Sequence, residues 1–327
     1  MTDLYDVTII GAGTTGLYAA FYCGMRDLKT KVIEYQPQTG GKVSFFYPEK
    51  AIYDVGGFFG VTGEDLVAGV EEQAVSVQPE FVTGEKIESI VTNTDGTFLL
   101  KSSGGQKHYS KSVLIASGLG TFEMQPLAVE GSKAYEERIH YTIQNLSQYE
   151  GKRAVVISDS RVGIDWALAL EKVAKDVHLI NHGSEFKAVY EQDIEILEQS
   201  SVTVHKETKV ERVEGRGGQL ENVVISNGKK LNVDDILVYE GLKIDKSLYG
   251  EWGLTTDKGR LPVQNDMGTD RPGIFAAGDA VVYPHKTMLI ASGFSEAMTA
   301  VNGIKKYLDP KAKSQVYSTV IYKHAEK

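Results

Sequence analysis

The sequence predicts an α/β protein of two domains, in which the second domain is inserted into the first. An apolar run over residues 7–10 breaks into a glycine-rich turn, and a small-residue helix and a second strand follow it up to Glu34. A second βαβ pattern begins at Arg153, and in both halves a helix, alternating strands and a closing strand come next. Because the plan is repeated, we expect two Rossmann-like three-layer domains with antiparallel β-meanders, over residues 1–119 with 242–327 and over residues 120–241.

The bulk composition fits a globular chain of about two domains. The chain has 327 residues, 42% of them hydrophobic and 24% charged, and a formal net charge of −9. This charge argues against a general nucleic-acid or membrane surface. No apolar run approaches the roughly 20 residues that a membrane span needs. The first ten residues enter the first strand directly and leave no room for a signal peptide, so we expect a cytoplasmic protein.

Cysteine chemistry is narrowly limited, because Cys23 is the single cysteine. It cannot form an intramolecular disulfide, a redox pair or a thiolate cluster. We therefore expect no metal site.

The first glycine-rich turn carries the spacing of a dinucleotide site. Gly11 allows the tight turn, Gly13 lets the backbone approach a pyrophosphate, and Gly16 lets the helix pack on its strand. The helix N-terminus then offers free N–H groups and partial positive charge to phosphates. Glu34 stands where an acid would hold a ribose diol. The alternative is a glycine-rich turn without a ligand.

The rest of the first domain follows from residue periodicity. Residues 43–53 are rich in aromatic side chains, which either belong to the core or lie against a planar cofactor. Residues 64–77 have the apolar spacing of an amphipathic helix. Residues 81–115 alternate and predict a meander of short antiparallel strands. A buried strand that ends at Gly118 closes the meander and can return to the first sheet.

The second half repeats these patterns before the chain returns to the first domain. The predicted elements are strands over 153–157 and 176–180, helices over 162–173 and 190–199, a meander over 201–239, a strand over 273–279 and a helix over 289–308.

Several stretches are shared with a known family. Residues 47–50 read Tyr-Pro-Glu-Lys, residues 275–279 read Phe-Ala-Ala-Gly-Asp, and residues 289–294 read Leu-Ile-Ala-Ser-Gly-Phe. With the N-terminal glycine motif and residues 53–58, they resemble the low-molecular-weight thioredoxin reductase family. The chain is most similar to its branch without the redox dithiol, the thioredoxin-reductase-like ferredoxin/flavodoxin–NADP(+) reductases. The resemblance implies an FAD-dependent, homodimeric oxidoreductase with ferredoxin or flavodoxin as redox partner.

The resemblance also implies roles for individual residues around FAD. Glu34 would hold the adenosine ribose, Tyr47 would stack on the isoalloxazine, and Asp279 would bond the ribityl chain or pyrophosphate. A helix starting near Leu289 would point its positive end at the flavin. The full predicted cofactor set is Gly11, Gly13, Thr15, Gly16, Glu34, Lys42, Tyr47, Ile87, Phe122, Asp279, Tyr317 and Thr319.

The resemblance assigns further contacts with the cofactor to four of these positions. Phe122 and Thr319 stand where family members touch the adenine edge and the flavin, and Tyr317 stands where an aromatic ring covers the flavin from the partner subunit of the dimer. Lys42 replaces a glutamine common in the family. A cation there would raise the flavin potential if it faced the ring; the alternative is a solvated lysine.

The second glycine-rich turn is degenerate. Ser158 and Ser160 replace its first two glycines, Asp159 brings a negative charge, and Gly163 remains. Side chains at these positions crowd the path of a pyrophosphate, and the charge repels it. In the next loop His182 stands where relatives carry arginines for the NADPH 2′-phosphate. We therefore expect weakened or lost NADPH binding; the alternatives are binding through rearranged contacts such as Arg161 and Lys187, or a helix capped by Asp159 or Ser160 without any ligand.

Three functions remain open from the sequence. The first is an enzyme that passes electrons between NADPH and a one-electron carrier. The second is an FAD flavoprotein fed by another donor, and the third is a non-enzymatic, flavin-loaded regulatory or docking protein. An acidic carrier needs a basic patch, for which the candidates are Arg26, Lys29 and Lys31, or a cluster of lysines at 305, 306, 311 and 313.

Overall fold

The structure, a computed structural model, describes residues 3–118, 120–245 and 247–318. Its contacts divide the chain into two compact units. The first unit is Met1–Phe122 with Ile244–Lys327, and the second unit is Glu123–Lys243. The chain therefore leaves the first unit once and returns to it once.

The elements before the first crossing belong to the first unit. The helices are α1 (Thr14–Met25), α2 (Gly41–Phe46) and α3 (Gly63–Ser76). The strands are β1 (Leu4–Tyr5), β2 (Val7–Ile10), β3 (Thr30–Glu34), β4 (Ala51–Ile52), β5 (Val61–Thr62), β6 (Glu80–Thr83), β7 (Ile87–Thr92), β8 (Phe98–Ser102), β9 (Lys107–Ser110) and β10 (Val113–Ile115).

The crossing strand β11 (Thr121–Met124) leads into the second unit. Its further strands are β12 (Ile139–His140), β13 (Arg153–Ser158), β14 (Asp176–Ile180), β15 (Thr203–His205), β16 (Val210–Arg216), β17 (Gln219–Ile225), β18 (Lys230–Asn232) and β19 (Asp235–Tyr239). Its helices are α4 (Arg161–Glu171) and α5 (Glu191–Glu198), with 3₁₀ turns at Ser132–Arg138 and Leu146–Tyr149.

The return strand β20 (Leu242–Asp245) leads back to the first unit. The elements that follow are α6 (Leu248–Glu251), β21 (Leu261–Pro262), β22 (Ile274–Ala276), a 3₁₀ turn at Gly278–Ala280, β23 (Val281–Val282) and α7 (Ile290–Leu308).

The first unit has three layers around a five-stranded parallel sheet in the order β22-β10-β2-β3-β6. Val7 and Ile9 of β2 pack with α1, α3 and α7, whereas Ile10 packs on the other face with residues of β7 and β8. Both faces are covered, which is why the central strands are almost continuously apolar.

The second unit repeats the three layers around a parallel sheet in the order β12-β19-β13-β14-β15. Val156 of β13 packs with α4 and α5, and Val155 packs with the antiparallel strands β16–β18. Within the part of the chain that is described, no helix combines the length and hydrophobicity that crossing a membrane requires.

Two sequence predictions about elements need correction. The segment 81–115 is not antiparallel throughout, because β6 joins the parallel sheet and only β7–β9 form the meander, whereas the closing strand β10 lies in that sheet as expected. Strand β6 follows β3 through helix α3, and such a crossover connection returns the chain in the parallel direction. Over 201–239, likewise, β15 joins the parallel sheet of the second unit, and only β16–β18 form an antiparallel meander.

Candidate functional site

The glycine turn after β2 contains two glycines that the fold requires and one that it does not. Gly11 has φ +105°, and a Cβ there would lie 2.6 Å from the carbonyl oxygen of Ala116. A Cβ on Gly16 would lie 1.9 Å from the carbonyl oxygen of Gly11. Gly13 has an ordinary φ of −70°, and its nearest neighbour would be Gly41 Cα at 3.9 Å. The space over Gly13 is therefore open and leaves room for a bound group to approach the backbone.

Two helix N-termini meet beside this turn. Helix α1 has no side-chain cap and no acidic residue in its first turn, and the same is true of α7. Thr15, in the first turn of α1, packs against Gly278 and Gly293, at which a Cβ would come within 2.8 and 2.3 Å of its Oγ1. Because helix N-termini carry partial positive charge and free N–H groups, their meeting favours an anionic ligand.

Glu34 is held at the carboxyl end of β3. Its side chain is buried, and it accepts hydrogen bonds from Ala12 N at 2.6 Å and from Gln36 N at 2.8 Å. Burial raises the pKa of this carboxyl, and the backbone N–H groups oppose that rise. The two bonds leave lone pairs on both oxygens, so the carboxylate can still accept from hydroxyl groups of a ligand.

Lys42, Tyr47 and Asp279 come together on one side of the turn. Lys42 Nζ lies 2.9 Å from Asp279 Oδ2, and Arg260 Nε donates to the Asp279 carbonyl at 3.2 Å. Burial raises the pKa of the Tyr47 hydroxyl, Lys42 lowers it, and Asp279 raises it further. Lys42 is therefore neither an isolated cation nor a solvated lysine, since it is ion-paired with the residue predicted to bond the cofactor.

The remaining predicted cofactor residues have less specific surroundings. Ile87 is buried in the core beneath the parallel sheet. The Phe122 ring packs on Phe45 and Phe46 with centroid distances of 5.1 and 5.4 Å. Tyr317 is exposed, its hydroxyl next to the Gln315 amide. Thr319 lies outside the described residues, so its role and that of Tyr317 across a dimer stay predictions.

The turn after β13 in the second unit is filled by its own side chains. A Cβ on Gly163 would lie 2.3 Å from Ser158 Cβ. Ser158 Oγ is 3.1 Å from Ser160 Oγ and accepts from Ser160 N at 3.2 Å. Ser160 is the N-cap of α4, but its side chain makes no capping bond. Ser160 is therefore the N-cap, as one alternative expected, but not through its side chain, and the absence of a ligand stays a prediction.

Charges around this second turn are paired with each other. Lys187 binds Asp159 through its Nζ at 2.5 Å, and its N–H donates to the Asp159 carbonyl at 2.7 Å. Arg161 Nε lies 3.1 Å from Asp193 Oδ2, with its guanidinium over the Tyr190 ring. The cationic side chains proposed for a rearranged phosphate site are thus engaged by carboxylates.

The carboxyl ends of β13, β14 and β19 in the second unit surround a small cavity. Its volume is about 190 Å³, and its lining includes Ser158, Asp159, His182 and Glu240. His182 Nε2 lies 3.5 Å from Glu240 Oε1. This is the edge of a parallel sheet where nucleotides bind in such folds, yet the cavity is below the roughly 300 Å³ at which ligand pockets begin.

Comparison with known proteins identifies the family. The model of the pyridine nucleotide-disulphide oxidoreductase family matches residues 5–306. The chain belongs to this family. It is 40% identical to ferredoxin–NADP reductase 1 of Bacillus velezensis over 97% of this chain and 96% of the relative, and 42% identical to ferredoxin–NADP reductase 2 of Shouchella clausii over 95% and 96%. The predicted resemblance, and with it the prediction of an oxidoreductase enzyme, is confirmed.

Solved structures support the same fold. The structure of thioredoxin reductase from T. acidophilum superposes with a TM-score of 0.71 at 22% identity, covering 94% of this chain and 99% of that chain. Thioredoxin reductase from Lactococcus lactis gives 0.68 at 21% identity, covering 93% and 99%. The predicted class of two Rossmann-like three-layer domains is confirmed. The non-enzymatic alternative has no support from these relatives.

This member of the pyridine nucleotide-disulphide oxidoreductase family has no disulfide chemistry of its own. Cys23 is fully buried in α1, and burial raises the pKa of its thiol to about 12. A protonated, inaccessible thiol is unreactive. Residues 3–118, 120–245 and 247–318 also contain no group of three His, Cys, Asp or Glu side chains arranged to hold a metal ion.

Sequence reasoning missed one cluster near the first site. Glu296, Tyr283 and Lys286 form a buried polar group that reaches the backbone of Gly278, next to Asp279. A trace of this cluster exists in the sequence, because Glu296 falls among small residues at helical spacing from Gly293 and Ala300. A carboxylate on the buried stripe of a helix needs a partner, but the spacing alone does not identify it.

Proposed function

We propose that the chain is an FAD-dependent oxidoreductase that passes electrons between a pyridine nucleotide and a one-electron carrier of the ferredoxin or flavodoxin type. The relatives named ferredoxin–NADP reductase, which align over nearly the whole chain, support this activity. FAD would occupy the first unit. The homodimer and the cytoplasmic location remain predictions.

The observation that carries the proposal is the open glycine at the meeting of two uncapped helices. The space over Gly13 and the N–H groups of α1 suit a pyrophosphate. Glu34 would accept from the adenosine ribose, and Asp279 would bond the ribityl chain or pyrophosphate. Tyr47, partly buried beside Lys42 and Asp279, would orient the flavin ring. Bound FAD would supply the exchange between two-electron and one-electron transfer.

The electrostatic field of the helices in the first unit also favours FAD. Helix α7 begins at Ile290 and its first turn lies against Thr15, so its positive end faces the site. The protein need not supply a proton donor or acceptor of its own for this chemistry. Its residues bind the cofactor, orient it and stabilise negative charge on it.

We infer further that the second unit is a pyridine-nucleotide domain with weakened NADPH binding. Ser158 and Ser160 fill the turn, and the cavity beside them is small. The charge of Asp159 contributes less than the sequence suggested, because Lys187 is paired with it. Steric filling is therefore the larger obstacle to a pyrophosphate.

One specific feature favours a second candidate, in which another donor feeds the flavin. Asp159 and Glu240 line the cavity where the nucleotide would lie, and no arginine lines it. A reduced protein carrier would not need this cavity. The donor can be identified by mixing the FAD-loaded protein anaerobically with NADPH, NADH or reduced ferredoxin and comparing the rates of flavin bleaching.

The two proposed basic patches do not serve a carrier equally. Arg26 and Lys31 are buried, and Lys31 is paired with Glu80, so the patch built on them was wrong. Lys305 and Lys306 lie about 18 Å along α7 from Gly293, at 1.5 Å per residue. The second patch is therefore at the end of α7 away from the cofactor site.

The proposal is tested by adding FAD to the apo-protein. We expect one FAD per chain, a yellow complex and a thermal unfolding midpoint that rises with FAD concentration. A protein that binds no FAD would contradict the proposed function.

A further inference from the structure

We propose that Glu296 is a positioning residue that fixes the turn carrying Asp279, and so sets the affinity for FAD; this rests on the proposed FAD site in the first unit. Glu296 lies on α7 and does not itself line the open space over Gly13. Its effect on the cofactor would pass through the backbone of Gly278.

The contacts of Glu296 tie both ends of the segment 278–286 to α7. The side chain is 4% exposed. Its Oε2 accepts from Gly278 N at 2.7 Å, and its Oε1 accepts from the Tyr283 hydroxyl at 2.6 Å. The same oxygen forms an ion pair with Lys286 Nζ at 2.5 Å, and the Lys286 side chain is 6% exposed.

Both oxygens of the Glu296 carboxylate have hydrogen-bond or ion-pair partners. A buried carboxylate is costly unless it is both paired and hydrogen-bonded, and here one cation and two neutral donors surround it. Burial and the bond to Glu296 raise the pKa of Tyr283 to about 12, so at neutral pH its hydroxyl keeps the proton that it donates. The carboxylate therefore has fixed partners, and so does the segment it holds.

The held segment is continuous with the cofactor site. Gly278 has φ +78° and packs against Thr15 in the first turn of α1. The next residue, Asp279, meets Lys42 through its carboxylate. A shift of Gly278 would thus move Asp279 from its place beside Lys42, and a misplacement of about 1 Å is enough to impair a geometry that positioned groups set.

The choice of a buried ion pair supports positioning over stability. Replacing such a pair with well-packed apolar residues is often neutral or stabilising, so the pair is weak evidence for stability alone. Lys286 and Glu296 are ten residues apart in the chain and bridge a turn to a helix. An apolar contact would fill the space but would not fix the direction of the Gly278 N–H.

The test compares three variants with a matched control. Glu296→Leu removes every contact, Glu296→Gln keeps an acceptor but leaves Lys286 unpaired, and Glu296→Gln with Lys286→Met restores a neutral pair. The control is Asp235→Asn in the second unit, which likewise disturbs a buried carboxylate paired with Lys152 and His140. The readouts are the Kd for FAD, the visible circular dichroism of bound flavin, and the thermal midpoint of the apo-protein.

The expected pattern separates positioning from plain destabilisation. We expect Glu296→Leu to raise the Kd for FAD about tenfold or more, a change of about 1.4 kcal/mol, and to alter the flavin dichroism. The neutral pair should bind FAD within about threefold of the wild type. Asp235→Asn should lower the apo-protein midpoint and leave the Kd unchanged.

Other results overturn the inference in distinguishable ways. If the wild type binds FAD and the Glu296 variants bind it equally well, positioning by Glu296 is wrong while the proposed function stands. The inference would also be overturned if the Kd for FAD rose in proportion to the loss of thermal midpoint of the apo-protein, in Asp235→Asn as well as in the Glu296 variants. If Glu296→Leu does not fold, the Glu296→Gln variant, for which we expect a Kd between those of the other two, decides the outcome. A wild type without FAD binding would reject the proposed function itself.

Discussion

Gly13 separates the requirements of folding from those of binding at a single residue. Its neighbour Gly11 is needed by the backbone, because its φ of +105° and the adjacent Ala116 carbonyl leave no room for a side chain. Gly13 has a φ that any residue adopts, and free space where a Cβ would point. Since the turn does not require the absence of a side chain at Gly13, we propose that a ligand requires it.

We predict that Gly13→Ala leaves the apo-protein intact and impairs FAD binding. The free energy of unfolding of the apo-protein should change by about 0.5 kcal/mol or less, as for a surface substitution. The Kd for FAD should rise at least about tenfold, because the methyl group occupies the approach of the pyrophosphate. Calorimetric titration measures the Kd for FAD, and thermal unfolding of the apo-protein measures its stability.

A glycine elsewhere provides the control for this substitution. Gly69 lies within α3, and a Cβ there would meet nothing within 4 Å. Gly69→Ala should bind FAD like the wild type. Equal Kd values for Gly13→Ala and Gly69→Ala would mean that the turn does not hold the cofactor.

Sequence could predict the residues of the first site better than their contacts. Glu34 follows from its position at the end of a strand, at the correct distance from the glycines. The pairing of Lys42 with Asp279 joins residues 237 apart in the chain, and no local pattern encodes it. For the same reason the Glu296 cluster was missed, since a buried carboxylate reveals a need for partners but not their identity.

At the scale of elements, the turn between β13 and α4 carries the proposed weakening of nucleotide binding in the second unit. Its glycine positions could be read from the sequence, because the residues after Gly163 fix the register. The pairing of Asp159 with Lys187 could not be read from the sequence. Because of this pairing, the filling side chains and not the charge of Asp159 are the main obstacle to a pyrophosphate. Alternation likewise predicted strands over 81–115 but not that β6 is parallel, because direction depends on the intervening connection.

We predict that restoring glycines to this turn strengthens NADPH binding. The variant carrying Ser158→Gly, Asp159→Gly and Ser160→Gly removes the filling side chains and frees Lys187 for a phosphate. Its Kd for NADPH should fall at least about tenfold, a gain of about 1.4 kcal/mol. Calorimetric titration of the FAD-free protein with NADPH provides the measurement, since no flavin is then present to be reduced.

The direction of the charge effect has its own control. Lys187→Met in the wild-type background leaves Asp159 unpaired and should weaken binding further. If the triple-glycine variant binds no better than Lys187→Met, the turn is not what limits the nucleotide.

At the scale of the whole molecule, a pair of histidines links the stability of the second unit to pH. His178 Nδ1 and His205 Nε2 lie 3.2 Å apart in the second unit. Burial lowers the pKa of both rings, Lys229 lowers both, His178 lowers that of His205, and Asp176 partly opposes the shift of His178. Both rings are therefore neutral in the folded protein at neutral pH.

We predict that the second unit loses stability as the pH falls below about 6.5, the ordinary histidine pKa. The unfolded chain then binds protons that the folded unit resists, so the stabilisation is complete above that pH and declines below it. His205→Gln should flatten the pH dependence of unfolding between about pH 7 and pH 5. His285→Gln, at an exposed position of the first unit, should not change it; an unchanged slope for His205→Gln would contradict the assignment.

We propose above all that the glycine turn after β2 holds FAD, whereas the turn between β13 and α4 binds NADPH poorly. The most direct measurement is anaerobic stopped-flow mixing of the FAD-loaded wild type with ~100 μM NADPH, within the usual range of KM values. We predict that flavin bleaching is incomplete after about one second, a time in which typical enzymes turn over at least once. Complete bleaching within that time would contradict it.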